Sequence, residues 1–226
     1  MKQKYLIFFC LLFVSFLNIN AQEKQQKRVY STYYYQRASL FEILSTDSTD
    51  IIFLGNSITD GGEWCELFHD SHIKNRGISG DTTYGVYDRL GVILEGKPAK
   101  IFLLIGINNL GKGDKVEDIV GGIEQIIKKI KIDSPSTQIY LQSILPTNDY
   151  YGKFKGHTSR FYLIPVINKQ LKRIAVSESV TYIDLYCHFV NEQNKMNLKY
   201  SNDGLHLLGR GYQYWVSLLE EYINEK

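Results

Sequence analysis

The sequence of 226 residues has little proline and little cysteine, with four prolines and three cysteines beside 18 glycines. So little proline excludes a collagen-like or linker-dominated chain, and so few cysteines exclude a disulfide framework. Apolar residues make up 44% and charged residues 22% of the chain, which excludes the composition of a disordered protein. The length and composition predict one domain of ordinary size.

An excess of charge of one sign is also lacking. The formal net charge is +2, and the 26 basic residues less Lys2 and Lys4 equal the 24 acidic ones. A strong phosphate-binding surface is therefore not expected, and nucleic acid is not an expected partner. No run of about 18 or more apolar residues occurs, so no stable membrane span is expected.

The N-terminus has the pattern of a secretory signal peptide. Lys2 and Lys4 precede the apolar stretch 5–17, and polar residues follow Ala21. This pattern predicts a signal peptide over residues 1–21, cleaved after Ala21, and a secreted or periplasmic protein. An uncleaved membrane anchor is the alternative.

The cysteines leave two questions open. Cys10 suggests lipid modification, but the bulky Phe8 and Phe9 before it argue against such a site. Export permits a disulfide between Cys65 and Cys187. Two buried free thiols are the favoured interpretation.

Residues 22–49 form a tyrosine-rich lead-in that we expect to pack on a domain of residues 50–226. Aromatic packing is the favoured role of its tyrosines, and a platform for sugar rings is the alternative. The tyrosines concerned are Tyr30, Tyr33, Tyr34 and Tyr35.

From residue 50 onward, strand-like and helix-like patterns alternate. Short apolar runs predict strands, and apolar spacings of three and four predict helices. The alternation predicts an α/β fold, a three-layer sandwich around a parallel sheet of about five strands. The predicted strands are 50–55, 73–77, 100–106, 137–145 and 180–185, and the predicted helices are 83–94, 115–132, 162–176 and 211–223.

Small-residue loops with polar side chains follow the predicted strands. Ser57 follows the first strand, Gly80 the second and Asn108 the third, while Asp203 and His206 precede the last helix. Ligands of such sheets bind beyond the carboxyl ends of the strands. We therefore expect these residues to meet at one edge of the sheet.

Acyl transfer by serine needs this set of residues. The hydroxyl of Ser57 needs a base, which His206 supplies, and Asp203 orients that base. The chain order Ser, Asp, His also occurs in α/β-hydrolases. The backbone N–H groups of Ser57 and Gly80 and the side-chain amide of Asn108 would form the oxyanion hole.

These motifs resemble those of the SGNH/GDSL hydrolases. The segment 55–59 is similar to the G-D-S-x-T block, Gly80 matches the glycine of the second block, and 106–109 matches G-x-N-D. The D-x-x-H block is matched by Asp203 and His206. The likeness is greatest to the branch of platelet-activating-factor acetylhydrolase catalytic subunits and bacterial secreted acetylesterases.

The resemblance implies a flavodoxin-like sandwich, no metal or organic cofactor, and an open site for small acyl groups. Asn56 and Asn109 depart from the family, which often has Asp at both positions. Export and the lack of a long apolar lid favour a polar substrate, so we expect a secreted serine esterase acting on short acyl esters, chiefly O-acetyl groups of carbohydrate. The alternatives are a lysophospholipase or platelet-activating-factor-type acetylhydrolase, and a non-catalytic glycan-binding module. The oligomeric state stays open.

Other residues compete for these roles. His157 and His188 are alternative bases, and Trp64 is an alternative surface for stacking a sugar. Metal binding through His69 and His72 is disfavoured because supporting ligands are lacking.

Overall fold

The computed structural model describes residues 28–225 and contains one five-stranded parallel sheet. The strands are β1 (Ile51–Gly55), β2 (Ile73–Gly77), β3 (Lys100–Leu104), β4 (Gln138–Gln142) and β5 (Thr181–Ile183). Their order across the sheet is β2-β1-β3-β4-β5, the doubly wound order of flavodoxin-like folds. The predicted α/β class and parallel sheet are confirmed.

Helices flank the sheet on both faces. In chain order they are α1 (Thr32–Ile43), α2 (Ser57–Asp60), α3 (Trp64–Phe68), α4 (Thr83–Asp88), α5 (Leu90–Leu94), α6 (Ile107–Lys112), α7 (Val116–Asp133), α8 (Lys155–Thr158), α9 (Ile164–Ser177), α10 (Tyr186–Phe189) and α11 (Gly209–Asn224). A 3₁₀ turn, Phe161–Leu163, leads into α9. No helix among residues 28–225 is long and apolar enough to cross a membrane.

The core on one face of the sheet is aromatic. Phe53 of β1, Phe102 of β3 and Tyr140 of β4 stand in register across three neighbouring strands. Phe53 and Phe102 stack with ring centroids 5.1 Å apart, and Phe102 and Tyr140 at 4.4 Å. Trp64 of α3 stacks on Phe53 at 4.1 Å, and Trp215 of α11 meets Trp64 edge-on. These contacts hold α3 and α11 against the sheet.

The structure divides one predicted element and shortens another. The helix predicted over 83–94 is divided at Arg89, whose guanidinium turns inward to Asp81 and Gly55. The strand predicted over 137–145 ends at Gln142, after which the N–H of Ile144 bonds to the side chain of Asn168.

The described part of the lead-in is largely the helix α1, which the sequence did not indicate. Its apolar residues have no helical periodicity, and only Tyr34 and Phe41 are buried. Ser31 begins the helix by accepting a hydrogen bond from the N–H of Tyr34. The ring of Phe41 lies between guanidinium groups, 5.0 Å from those of Arg37 and Arg76. The predicted signal peptide lies outside the described residues.

Candidate active site

Ser57 lies where β1 ends, as the first residue of α2. Asn56 caps this short helix because its side-chain oxygen accepts a hydrogen bond of 3.0 Å from the N–H of Ile58. Ser57 is half-buried, and its Oγ lies 3.0 Å from Nε2 of His206. The local fold therefore presents the hydroxyl at the carboxyl edge of the sheet, beside an imidazole.

His206 and Asp203 lie in the loop before α11 and bond to each other. The Nδ1 atom of His206 is 2.8 Å from Oδ2 of Asp203. The second oxygen, Oδ1, accepts hydrogen bonds from the N–H groups of Leu205 and His206, each 2.8 Å long. Burial would raise the pKa of Asp203, but these hydrogen bonds outweigh it and hold the pKa below its usual value.

The charge on Asp203 determines where the ring proton of His206 lies. An ionised carboxylate only accepts hydrogen bonds, so Nδ1 of His206 donates to it. Nε2 is then left with a lone pair, which can accept the O–H of Ser57. The structure thus brings the three predicted residues into one chain of hydrogen bonds.

Two backbone N–H groups adjoin the nucleophile side of the site. Among residues 28–225, no hydrogen-bond acceptor is paired with the N–H of Ser57 or of Gly80. Gly80 adopts φ +80°, a conformation that favours glycine, and a Cβ atom there would meet nothing within 4 Å. Both N–H groups are therefore available to an oxyanion.

Asn108 lies in the first turn of α6, just after β3. Its Nδ2 donates a hydrogen bond of 2.8 Å to the carbonyl of Asp81, which ties Asn108 to the loop of Gly80. Nδ2 carries two hydrogens, and this bond uses one. The other is available to a ligand.

Asn56 and Asn109 have structural contacts of their own. Asn109 accepts from the N–H of Thr83 and donates to Asp114, so it links α6 to the start of α4. The Nδ2 of Asn56 is buried without a hydrogen-bond partner among the described residues. The Asp that is common in the family would have no such donor at that position.

The competing candidates lie elsewhere or contact other groups. His188 bonds weakly to Tyr214, and Trp64 is 1% exposed in the aromatic core, so its interpretation as a sugar-stacking residue is wrong. Cys65 and Cys187 are both free and exposed, which contradicts the predicted burial. The physical reason at Cys65 is that its neighbour Trp64 takes the inward face of α3.

Sequence reasoning missed the role of two residues near the site. His157, considered only as a base, lies 3.0 Å from Oδ1 of Asn108 through its Nε2. The ring of Phe154 meets the ring of His206 edge-on at 5.0 Å. Neither contact has a signal in the local sequence, because each joins segments far apart in the chain.

Within residues 28–225, one group of side chains has the donor atoms of a metal site. Side-chain atoms of Asp47, Asp50 and His72 lie within 4.8 Å of one another. Asp50 precedes β1, so this group lies at the amino end of the sheet, away from Ser57. Asp50 is also 3.5 Å from the ammonium group of Lys74, so a cation of the protein already accompanies it.

Comparisons with known proteins identify the family of the chain. The model of the GDSL-like Lipase/Acylhydrolase family matches residues 53–214. The chain belongs to this family. The chain is 30% identical over 192 residues to platelet-activating factor acetylhydrolase IB subunit alpha2 of Rattus norvegicus, covering 78% of this chain and 80% of the relative.

The chain is also similar to solved structures. A structure from Streptococcus pneumonia that is named for platelet activating factor is 30% identical, covers 94% of this chain and 99% of its own, and has a TM-score of 0.75. The acetylxylan esterase Axe2 of Geobacillus stearothermophilus is 17% identical, with 80% and 96% covered and a TM-score of 0.63. At this low identity, the likeness to the acetylxylan esterase shows a common fold and no more. The family inferred from the sequence motifs is confirmed.

Proposed function

We propose that this acylhydrolase is a secreted serine esterase that removes short acyl groups, chiefly acetyl, from carbohydrate. One observation carries the proposal: hydrogen bonds run unbroken from Ser57 through His206 to Asp203. A serine hydroxyl becomes a nucleophile when a neighbouring base takes its proton and a third group orients that base. The three side chains have the proton and lone pairs that this chemistry needs.

The proposed reaction uses these contacts. Ser57 Oγ bonds to the ester carbonyl carbon while its proton passes to Nε2 of His206. The tetrahedral intermediate then expels the alcohol oxygen, which takes that proton and leaves an acyl group on Ser57. Water attacks the acyl carbon, again giving a proton to His206, and the Oγ–carbon bond breaks as Ser57 recovers it. Asp203 stabilises the imidazolium in both halves of the reaction.

The negative oxygen of each intermediate needs donors. The N–H groups of Ser57 and Gly80 and the remaining Nδ2 hydrogen of Asn108 would supply three. Removing one such donor typically lowers kcat about 10²- to 10³-fold. The role assigned to Asn108 therefore has a measurable size.

One observation favours an acetyl group, and a second favours carbohydrate. Relatives at 30% identity are named as acetylhydrolases. Phe154 is 43% exposed beside His206, and Tyr150 nearby in the chain is 73% exposed. Exposed aromatic rings offer an apolar surface of the kind on which a sugar ring packs. A lipid ester, as in platelet-activating factor, is the second candidate, and the names of the same relatives favour it.

The export step is proposed from residues 1–21. Lys2 and Lys4 before the apolar stretch 5–17 support a signal peptide cleaved after Ala21. Expression of the full chain in a secreting bacterium should yield a protein that begins at Gln22. Intact-mass measurement of the exported protein checks this, and a mass that includes residues 1–21 would contradict it.

Ester hydrolysis by the purified protein tests the serine mechanism. p-Nitrophenyl acetate, butyrate and octanoate are compared in the wild type and in Ser57→Ala. We expect acetate to be the best substrate and kcat to fall about 10³-fold or more in the variant. Ser217→Ala is the matched control, because Ser217 is an exposed serine of α11 whose hydroxyl, among the described residues, bonds only to the carbonyl of Tyr214 in its own helix.

The outcomes separate the candidate functions. Highest activity on octanoate would favour a lipid substrate, and release of acetate from an acetylated xylo-oligosaccharide would support carbohydrate. If Ser57→Ala retains wild-type activity on every ester, the serine mechanism is wrong. Binding of the oligosaccharide without release of acetate would favour the glycan-binding module.

A further inference from the structure

We propose that His157 is a positioning residue that holds the amide of Asn108 in the orientation required for oxyanion binding. The inference rests on the proposed function and deepens it. His157 and Asn108 are 49 positions apart in the chain, and the contact between them is the Nε2–Oδ1 pair at 3.0 Å. His157 lies in α8, and Asn108 lies in α6.

The orientation of the amide follows from its other partner. The carbonyl oxygen of Asp81 can only accept a hydrogen bond, so the atom of Asn108 that faces it is Nδ2. The atom that faces His157 is therefore Oδ1, which can only accept. Nε2 of His157 must then carry a hydrogen and donate it.

The protonation state of His157 agrees with this assignment. Burial lowers the pKa of His157, the neighbouring His206 lowers it further, and a backbone hydrogen bond at Phe154 opposes both. His157 is therefore neutral near pH 7, with one ring hydrogen. Among the described contacts, the hydrogen bond of the His157 ring that has a full hydrogen-bond geometry is the one to Oδ1 of Asn108, so that hydrogen lies on Nε2.

A close fit with α6 fixes the imidazole ring itself. Gly111 lies one turn after Asn108, and a Cβ atom on Gly111 would stand 2.4–2.7 Å from three atoms of the His157 ring. Gly156 packs equally closely on the carbonyl of Gly111. Arg160 adds a hydrogen bond of 2.8 Å to the carbonyl of Leu110. The ring is therefore held against the helix that carries Asn108.

These contacts favour one orientation of the Asn108 amide over the flipped one. Turned by half a rotation, Asn108 would set its oxygen against the carbonyl of Asp81 and its NH₂ against the N–H of His157. The amide oxygen would then also take the place of Nδ2, whose second hydrogen is proposed to bond to the oxyanion. His157 thus acts through Asn108, since its Nε2 is occupied and it makes no hydrogen bond to Ser57 among the described contacts.

A double-mutant cycle tests the proposal. His157→Leu removes the donor, and we expect kcat on p-nitrophenyl acetate to fall about three- to tenfold, the size of one neutral hydrogen bond, with KM within about twofold. His157→Gln can still donate an amide N–H, so it should recover most of that loss. In the Asn108→Ala background, His157→Leu should lower kcat by less than about twofold, because the group it positions is gone.

The controls separate this role from a structural one. Lys155→Ala changes an exposed residue of the same short helix and should leave kcat unchanged. An equal fall in kcat from His157→Leu with and without Asn108 would overturn the proposal. So would a His157→Gln variant as impaired as His157→Leu.

A spectroscopic measurement is independent of turnover. Imidazole ¹⁵N spectra of the inactive Ser57→Ala protein should show His157 as the neutral tautomer with its hydrogen on Nε2. The Asn108→Ala substitution should shift that Nε2 resonance. If the spectra show the hydrogen of His157 on Nδ1, the positioning role is wrong, and this holds whether or not the wild type hydrolyses any of the esters. The proposed function is decided separately, by comparing ester hydrolysis in the wild type and in Ser57→Ala.

Discussion

Two histidines at the site meet the ring of Phe154, and their partners suit them to different tasks. His206 faces the carboxylate of Asp203, which can stabilise a proton taken from Ser57. His157 faces the amide oxygen of Asn108, which carries no charge. The same residue type thus suits proton transfer at one position and fixed donation at the other.

The lowered pKa of His157 predicts a pH dependence of stability. The unfolded chain binds a proton at His157 near pH 6.5, whereas the folded protein binds it only at lower pH. The unfolded state therefore holds more protons below about pH 6.5, and the free energy of unfolding falls as the pH falls. Urea unfolding at pH 7 and 5.5 should show a smaller difference in His157→Gln than in the wild type. Equal differences would contradict the prediction.

Gly80 should be needed for its backbone conformation rather than for lack of space. Alanine at φ +80° costs about 1–2 kcal/mol, although its Cβ would meet nothing within 4 Å. Relief of that strain would turn the N–H away from the oxyanion, so kcat of Gly80→Ala should fall at least about tenfold. Gly91→Ala, in α5 and equally free of contacts, should keep full activity. Wild-type kcat in Gly80→Ala would remove its N–H from the proposed role.

At the scale of elements, a buried ion pair joins the segments that carry the site. Arg89, between α4 and α5, donates a hydrogen bond of 2.8 Å to Asp81 and one of 3.0 Å to the carbonyl of Gly55. Arg89 is 5% and Asp81 4% exposed. One side chain thus ties the loop after β2 to the end of β1, which places Gly80 near Ser57.

Removing Arg89 should destabilise the protein strongly. Burial raises the pKa of Asp81 and Arg89 opposes that rise, so Arg89→Met leaves a carboxyl group buried without its cation. We expect the free energy of unfolding to fall by about 3–5 kcal/mol at pH 7. Because the pKa of Asp81 is raised in the folded state, the folded state binds a proton there more readily than the unfolded state does. The loss of unfolding free energy in Arg89→Met should therefore be smaller at pH 5 than at pH 8.

Urea unfolding measures this loss, and the second substitution Asp81→Asn provides a rescue. The double variant buries no charge and should be more stable than Arg89→Met alone. Lys129→Met is the control, because the pair of Lys129 with Asp133 is on the surface of α7 and should contribute less than about 1 kcal/mol. A loss of similar size in both single variants would contradict the argument.

At the scale of the whole molecule, the sheet has two distinct ends. Ser57 and Asn108 follow β1 and β3, which are neighbours at the point where the strand order reverses. Lys100 lies at the opposite end, as the first residue of β3. Its ammonium group donates to the carbonyls of Tyr222, Ile223 and Glu225, where α11 ends.

This polarity explains what could be predicted from the sequence. Ser57 and Asn108 follow apolar strands directly, so local patterns placed them at the edge where ligands bind. The helix α1 was missed because only Tyr34 and Phe41 face the core and no periodicity shows. The contact of His157 with Asn108 has no local signal, because it depends on how closely α8 packs on α6.

Lys100→Met should separate stability from catalysis. The substitution keeps an apolar stem but leaves three carbonyl groups without their donor, so the free energy of unfolding should fall by about 2–3 kcal/mol. The length of β3, about 13 Å from its first to its last Cα at 3.3 Å per residue, separates Lys100 from the site. We therefore expect kcat/KM for p-nitrophenyl acetate to stay within about twofold of wild type where the variant is folded.

Lys131→Met, which removes an exposed lysine bonded to the carbonyl of Glu178, should change stability by less than about 1 kcal/mol. If kcat/KM falls in folded Lys100→Met, this expectation is wrong, and a change at the end of α11 reaches His206, which precedes that helix.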